Sequence, residues 1–174
     1  MKRPLLLLPL FCALLAGAQQ TAPPKPCTAP EAAQFDFWVG DWEASWPAAQ
    51  GSPAGAGANH ITKTMSGCVI EERFDGAASN GLVGHSVSVY LPRARQWKQT
   101  WVDNQGAYLD FVGEFKDGAM VLAREAVTPK GVKVRQRMVW KNIKPESFEW
   151  SWEQSTDDGK TWQVLWPIRY TRKK

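Results

Sequence analysis

Short runs of strand-forming residues, separated by turn residues, fill the chain from residue 41 almost to its C-terminus. The turns are rich in glycine, proline, asparagine and aspartate, as at Asn104-Gln105-Gly106, and no long helical pattern interrupts the series. Connections this short predict antiparallel hairpins, and a sheet of many such strands removes its exposed edges by closing on itself. The prediction is an all-β fold, an antiparallel up-and-down β-barrel of about ten strands, with a sandwich as the alternative. The predicted strands are residues 41–46, 59–66, 68–74, 82–91, 95–103, 107–115, 119–128, 132–141, 147–155 and 161–171.

Two segments before the second strand have a different character. Residues 30–35 predict a short helical turn, because Pro30 suits a first-turn position and Glu31 favours the positive end of the helix dipole. Gly40 ends this turn. Residues 47–58 are glycine, alanine, proline and serine with almost nothing to bury, so they predict the least ordered internal loop.

The N-terminus has the features of a secretory signal peptide. Lys2 and Arg3 precede an apolar run over residues 4–15, and Ala16-Gly17-Ala18 is a typical cleavage site. The predicted organisation is therefore a signal peptide over 1–18, a proline-rich tail over 19–30 and a single barrel domain over 31–174. The protein should be exported, either periplasmic or secreted, with no stable membrane anchor after cleavage. An uncleaved membrane tether is the alternative.

The charge balance gives no indication of a nucleic-acid partner. The chain has 21 basic and 17 acidic residues, and loss of Lys2 and Arg3 lowers the net charge from +4 to +2. Basic residues are scattered, whereas nucleic-acid binding normally needs them concentrated in one stripe.

Cysteine usage agrees with export. Cys12 leaves with the signal peptide, so Cys27 and Cys68 remain, and in an oxidising compartment they are predicted to form a disulfide. Two free thiols or a metal site are the alternatives. A metal site lacks partners, since His60 and His85 have no ligand spacing to a cysteine, and we expect neither a metal nor a cofactor.

Alternation of side chains along the strands predicts which residues face the barrel interior. Aromatic sets should point inward, including Trp162, Val164 and Trp166 of the last strand, and glutamines lie among them. A buried amide without a partner costs about 1–3 kcal/mol, so inward glutamines indicate a polar partner, a water or a ligand. Arg124, Glu72 and Glu153 are candidates for charge at a cavity mouth. The predicted ligand-binding residues are Trp97, Gln99, Trp101, Gln136, Arg137, Trp150, Trp152 and Gln154.

Residues 155–162, Ser-Thr-Asp-Asp-Gly-Lys-Thr-Trp, match the Asp-box pattern of sialidase-type propellers. Asp157 is suited to accept backbone hydrogen bonds across the turn, Gly159 to take a positive φ, and Trp162 to anchor the hairpin. One copy cannot build a propeller. We therefore interpret the box as structural and reject the glycosidase function.

Three motifs together resemble an exported bacterial domain family of unknown function that is similar to the calycins, the lipocalin-like barrels. They are Phe-x-Phe-Trp-x-Gly-x-Trp over residues 35–42, Gly-Cys-Val-Ile-Glu-Glu over 67–72, and Trp-Lys-Gln-Thr-Trp-Val-Asp-Asn over 97–104. In calycins a Gly-x-Trp on the first strand plugs one barrel end and an arginine on the last strand lies across the ring. The resemblance implies that Gly40 and Trp42 are structural, with Arg169 or Arg172 supplying the arginine.

Three functions remain open from the sequence. The leading hypothesis is a noncatalytic module that binds a small apolar or aromatic molecule in a tryptophan-lined barrel. The second is a small isomerase or hydrolase that uses Glu153, Glu72 or His85 as a general base. The third is an envelope domain that contacts another protein through its outer face or residues 47–58. His85 as a single haem ligand is a weaker alternative, and no nucleophilic motif is present.

Overall fold

The computed structural model describes residues 26–49 and 53–174. The predicted signal peptide, 1–18, and residues 19–25 of the tail lie outside the described residues. Within the described ranges, no helix is long and apolar enough to cross a membrane. A short helix, α1, spans Ala77–Asn80. The strands are β1 (Gly40–Trp46), β2 (Gly55–Thr64), β3 (Val69–Asp75), β4 (Val83–Leu91), β5 (Gln96–Asp103), β6 (Tyr108–Lys116), β7 (Ala119–Val127), β8 (Lys133–Lys144), β9 (Ser147–Ser155) and β10 (Gln163–Arg172).

These ten strands form a closed antiparallel barrel, which confirms the predicted fold class and excludes the sandwich. Each strand pairs with its neighbours in sequence, and β1 pairs with β10 to complete the cylinder. Closure leaves no edge of this described sheet exposed, which is the physical advantage that short hairpin connections allow.

The expected loop at residues 47–58 is shorter than predicted, because β2 already begins at Gly55. Gly55 pairs with Trp46, and Gly57 pairs with Ala44. Both glycines have a packing reason: a Cβ on Gly55 would lie 2.6 Å from the Trp46 ring, and one on Gly57 would lie 2.5 Å from the Asp75 carbonyl oxygen. The residues that looked like loop composition are therefore small because neighbouring groups occupy the space of a side chain.

Two short 3₁₀ turns, Pro30–Ala33 and Asp36–Trp38, close one end of the barrel. Phe35, Trp38 and Trp42 are fully buried there. The Phe35 ring lies 4.9 Å from the ring of Trp97 and 5.2 Å from that of Trp140. The Trp42 indole donates to the Trp38 carbonyl oxygen at 2.7 Å. The aromatic segment at 35–42 is thus a plug that the barrel end encloses.

The predicted disulfide between Cys27 and Cys68 is present. Cys27 precedes the 3₁₀ turns, and Cys68 follows the short turn Met65–Gly67 between β2 and β3. The bond therefore fastens the plug segment to the wall at the closed end.

The alternation predicted for β10 fails at one point. A bulge lies between Val164 and Trp166, where Val164 pairs with Glu153 and Trp166 pairs with Trp152. The extra residue, Leu165, reverses the face, so Val164 points outward with 43% of its surface exposed while Trp166 joins the aromatic core. Trp162, also expected inside, lies outside the barrel, beneath Arg137.

Candidate ligand-binding site in the barrel

A cavity of about 280 Å³ lies inside the barrel. Leu82, from the β3–β4 connection, and Gln105, from the β5–β6 connection, are among its lining residues. Both connections lie at the end opposite the plug, because the strands run up and down. The cavity therefore occupies the end of the barrel that the N-terminal segment leaves unfilled.

Eight of the fifteen residues that line the cavity are aromatic: Phe74, Trp101, Phe111, Trp140, Trp150, Trp152, Trp166 and Tyr170. Several pack edge to face, which is a favourable geometry for π systems. Trp166 is nearly perpendicular to Trp150, at 87°, and to Phe74, at 89°. Gly84 of β4 leaves room for the Trp101 ring, since a Cβ there would lie 2.0 Å from it. The rings therefore enclose the cavity at steep angles to one another and do not stack in parallel.

A buried carboxyl group, Glu72, also lines the cavity. It follows from the alternation of β3, which turns Ile70, Glu72 and Phe74 to the same face. Asn59 Nδ2 donates to Glu72 Oε1 at 2.7 Å, and Ser86 Oγ donates to Glu72 Oε2 at 2.6 Å. Asn59 Nδ2 also lies 3.3 Å from the Tyr170 hydroxyl. Glu72 thus has neutral hydrogen-bond partners from β2 and β4.

Burial changes the acid–base behaviour of two groups in this cluster. Loss of solvent raises the pKa of Glu72 from 4.5 to about 7, although the hydrogen bonds from Ser86 and Asn59 lower it in part. Burial, followed by the nearby charge of Glu72, raises the pKa of the Tyr170 hydroxyl. Near neutral pH the cavity therefore contains a carboxyl group poised between its two forms beside a protonated phenol.

A second carboxyl group, Asp103, lies at the mouth. It accepts a hydrogen bond from the Trp101 indole at 2.9 Å and from the backbone N–H groups of Gln105 and Ala107. Burial acts to raise the pKa of Asp103, but these three hydrogen bonds outweigh it and the pKa is lowered. Asp103 therefore stays ionised and fixes the orientation of Trp101.

Three of the eight predicted ligand-binding residues line the cavity: Trp101, Trp150 and Trp152. Trp97 lies instead at the plugged end, where its indole donates to Gln34 Oε1 at 3.1 Å. Gln99 is buried and donates to Ser88 Oγ at 2.8 Å. Neither of these two lines the cavity, because height along the barrel separates them from it.

A hydrogen bond joins Gln136 and Gln154 on the inner face of β8 and β9. Gln136 Nε2 donates to Gln154 Oε1 at 3.3 Å, and Arg124 donates to Gln136 Oε1 at 3.3 Å. The Arg124 guanidinium also lies 5.9 Å from the centre of the Phe111 ring. These polar side chains form a network on the side of the cavity away from the plug, and they are not among its lining residues.

Arg137, expected at the ligand site, lies on the outer surface of β8. Its neighbour Met138 faces the cavity, so alternation turns Arg137 the other way. It bonds the Glu153 carboxylate at 2.6 Å and lies 3.9 Å above the Trp162 ring. Ser151 Oγ donates to the same carboxylate at 2.7 Å. Glu153 is therefore part of a buried outer cluster and not a lumenal base.

His85 also lies on the outer face. The inward positions of β4 are 84, 86 and 88, and alternation turns the side chain between them the other way. It is therefore placed neither as a lumenal base nor as a haem ligand. Among the described residues, no three histidine, cysteine, aspartate or glutamate side chains meet as metal ligands.

The hairpin at 155–162 has the geometry of a structural turn. Asp157 accepts hydrogen bonds from the backbone N–H of Thr161 at 2.9 Å and from Ser155 Oγ at 2.7 Å. Gly159 has a φ of 86°, and the Trp162 indole donates to its carbonyl oxygen at 3.0 Å. The hydrogen bonds from Thr161 and Ser155 lower the pKa of Asp157 to about 2.

Sequence reasoning named Glu72 as a mouth charge and placed Tyr170 on the inner face of the last strand, but it did not predict that Asn59, Ser86 and Tyr170 meet around Glu72. Alternation along each strand could have placed the three residues on the inner face. Each of them lies two residues from a small or apolar inward residue, as Tyr170 does from Ile168. Their convergence joins four strands, and alternation within one strand carries no information about it.

No protein-family model matches the chain, and no curated protein matches it.

Proposed function

We propose that this protein binds a small, largely apolar or aromatic molecule inside its barrel. The observation that carries the proposal is the cavity of about 280 Å³, walled by aromatic rings at the end opposite the plug. Ligand pockets typically measure about 300–1,000 Å³ and combine apolar walls with a few polar anchors. This cavity lies just below that range, which suits a small molecule, and Glu72 and Tyr170 supply the anchors.

We also propose that the protein is exported and that it belongs to the calycin-like family. Export to the periplasm or beyond is supported by the Cys27–Cys68 disulfide, since disulfides persist in oxidising compartments. Membership of the calycin-like family is supported by the closed barrel and by Arg172, which lies 4.1 Å from the centre of the Trp42 ring as the resemblance implies.

Calorimetric titration with three benzene derivatives tests the proposal: benzyl alcohol, benzyltrimethylammonium and benzoate. At least one should bind wild-type protein with a Kd below about 1 mM. Leu109 lines the cavity, so Leu109→Trp would fill part of it with an indole ring. The variant should weaken that binding at least about tenfold. Val112→Trp is the matched control, because Val112 lies on the same strand with its side chain outside and 40% exposed.

Two results would overturn the proposal: no probe binds, or Leu109→Trp binds as tightly as wild type. Should Leu109→Trp fail to fold, the wild-type protein still provides a readout. A bound probe should alter the intrinsic tryptophan fluorescence and raise the melting temperature, because it binds only the folded state.

A second candidate function, proton transfer by Glu72, is favoured by one observation. Its pKa of about 7 is close to working pH, which suits a general base, and it lies in the cavity while Glu153 and His85 lie outside. An activated benzisoxazole tests this activity: a base removes the ring C–H proton, the N–O bond breaks and a nitrile phenolate is released. Wild type should accelerate the reaction, and Glu72→Gln should abolish the acceleration. A rate equal to that in buffer would contradict it.

A further inference from the structure

The ionisable groups that line the cavity are all acids. They are Glu72, Asp103 and Tyr170, and no lysine, arginine or histidine of the described residues belongs to the lining. The Asp103 carboxylate lies at the mouth, where it faces an entering molecule. A charged ligand therefore meets the ionised Asp103 at the entrance and, inside, the carboxyl group of Glu72, which is negative once it has lost its proton.

The buried carboxyl of Glu72 has no cationic partner among the described residues. Its hydrogen bonds come from Asn59 and Ser86, which are neutral, and none of the ion pairs in the described part of the chain includes it. Buried carboxylates are normally paired with a cation or neutralised by a proton. The position that a counter-ion would take is on the cavity side, because protein atoms occupy the other sides.

The side chain beside Glu72 also has an acceptor without a donor. Asn59 donates to Glu72 through Nδ2, and its Oδ1 is buried without a hydrogen-bond partner in the described structure. A molecule that carries N–H groups or a positive charge would complement this side of the barrel, whereas an anion would add a further acceptor.

The aromatic rings that line the cavity also favour a positively charged ligand. The faces of indole and phenyl rings carry partial negative charge, and cages of such rings bind ammonium groups. Trp166 meets Trp150 and Phe74 at nearly right angles, so a group in these corners contacts at least one ring face. Trp101 is held in place by Asp103, which places a full negative charge behind its ring edge.

We infer that the cavity selects a small organic cation, an amine or quaternary ammonium ion with an apolar body, and that Glu72 is its counter-ion. This inference rests on the proposed binding function and narrows it to one ligand class. Arg124 is the basic residue on the inner face of β7, and it is already engaged with Phe111 and Gln136 above the cavity.

Choline and 3,3-dimethylbutan-1-ol provide the decisive comparison, because they have the same shape and differ only in the charged nitrogen. Calorimetry at about pH 8, where Glu72 is ionised, should give a choline affinity at least about tenfold greater than that of the alcohol. Glu72→Gln should lower the choline affinity about tenfold and leave the alcohol unchanged. Glu71→Gln is the matched control, since Glu71 is the next residue of β3 on the opposite face.

A second measurement needs no variant. The groups around Glu72 are Asn59 from β2, Ser86 from β4 and Tyr170 from β10, with Asp103 and Arg124 farther along the inner surface. The pKa of Asp103 is lowered and that of Tyr170 is raised, so neither of these two groups changes charge near neutrality. Choline affinity of the wild type should therefore rise about fivefold between about pH 6 and pH 8, as Glu72 goes from mostly protonated to mostly ionised. The alcohol should show no such rise.

The outcomes separate this inference from the proposed function. Tighter binding of the alcohol than of choline, or of benzoate than of benzyltrimethylammonium, overturns the cation preference and leaves ligand binding intact. Choline binding that is independent of both pH and Glu72→Gln overturns the role of Glu72. If no probe of any charge binds, both the inference and the proposed function fail.

Discussion

The Arg172 guanidinium lies 4.1 Å from the centre of the Trp42 ring and joins the last strand of the barrel to the first. The same side chain donates to the carbonyl oxygens of Pro145 at 2.8 Å and Val39 at 3.1 Å. Gly40 is required beside it, because a Cβ there would lie 2.2 Å from the guanidinium and the residue has a φ of +135°. Arg172 therefore fastens the plug, the β8–β9 turn and the seam of the barrel with one planar group.

Replacing this guanidinium by an ammonium group should loosen the seam. Arg172→Lys keeps the charge but cannot stack on Trp42 and reach the carbonyl groups together, so we expect a loss of about 2 kcal/mol in the free energy of unfolding. Urea unfolding measures it. Arg169→Lys, on the same strand with an exposed side chain, should change stability by less than about 0.5 kcal/mol. Equal stability of the two variants would show that the stacked arginine is dispensable.

Glu72 should make stability depend on pH. Its pKa is about 7 in the folded protein and 4.5 when freely solvated, so the folded state holds an extra proton between these values. Stability from this group is present below about pH 4.5 and is lost as pH rises through about 7, by roughly 3 kcal/mol. Glu72→Gln cannot ionise, and its stability relative to wild type should rise by that amount across the window.

Unfolding of wild type, Glu72→Gln and Glu71→Gln at about pH 4.5 and pH 8 measures this effect. Glu71→Gln controls for removal of a carboxyl group from β3, and its stability difference from wild type should not change in the same way. A constant difference between wild type and Glu72→Gln over this range would mean that Glu72 titrates as an exposed glutamate does.

The Cys27–Cys68 disulfide should contribute substantially to stability. The two cysteines are 41 residues apart in sequence, and closing a loop of this size in the unfolded chain is expected to stabilise the folded state by about 2–4 kcal/mol. Thermal unfolding of the wild type with and without reductant, compared with Cys27→Ser/Cys68→Ser, measures it. The double variant should be insensitive to reductant. An unchanged melting temperature on reduction would contradict the prediction.

The outer cluster at Arg137 should behave as a buried ion pair. The Glu153 side chain is only 6% exposed, so Arg137→Met would leave its carboxylate without a cation and cost about 3 kcal/mol. Adding Glu153→Gln should recover most of that loss, because the unpaired charge is removed. A double-mutant cycle by urea unfolding gives the coupling. Losses that simply add would show that the two side chains act independently.

The sequence determined the fold because strands and turns are encoded locally. Period-two alternation, glycine and aspartate turns and short connections lie within a few residues of one another, and ten strands with short links have few ways to hide their edges. The role of the Gly-x-Trp segment was implied by the resemblance to the calycins, and the pairing of Cys27 with Cys68 is predictable from residue types alone. The beginning of β2 is not, because the small residues that suit a loop also suit a strand crowded by Trp46 and Asp75.

The tertiary structure alone decided which inward residues meet around a cavity and which fill the core. Trp97 and Trp101 share a face of β5, yet one packs under the plug and the other lines the void, since the difference is height along the barrel. The bulge at Leu165 turned Val164 outward, and closure brought Glu72, Asn59, Ser86 and Tyr170 together from four strands. Such convergence depends on strand register and barrel closure, which are properties of the whole sheet and not of any local pattern.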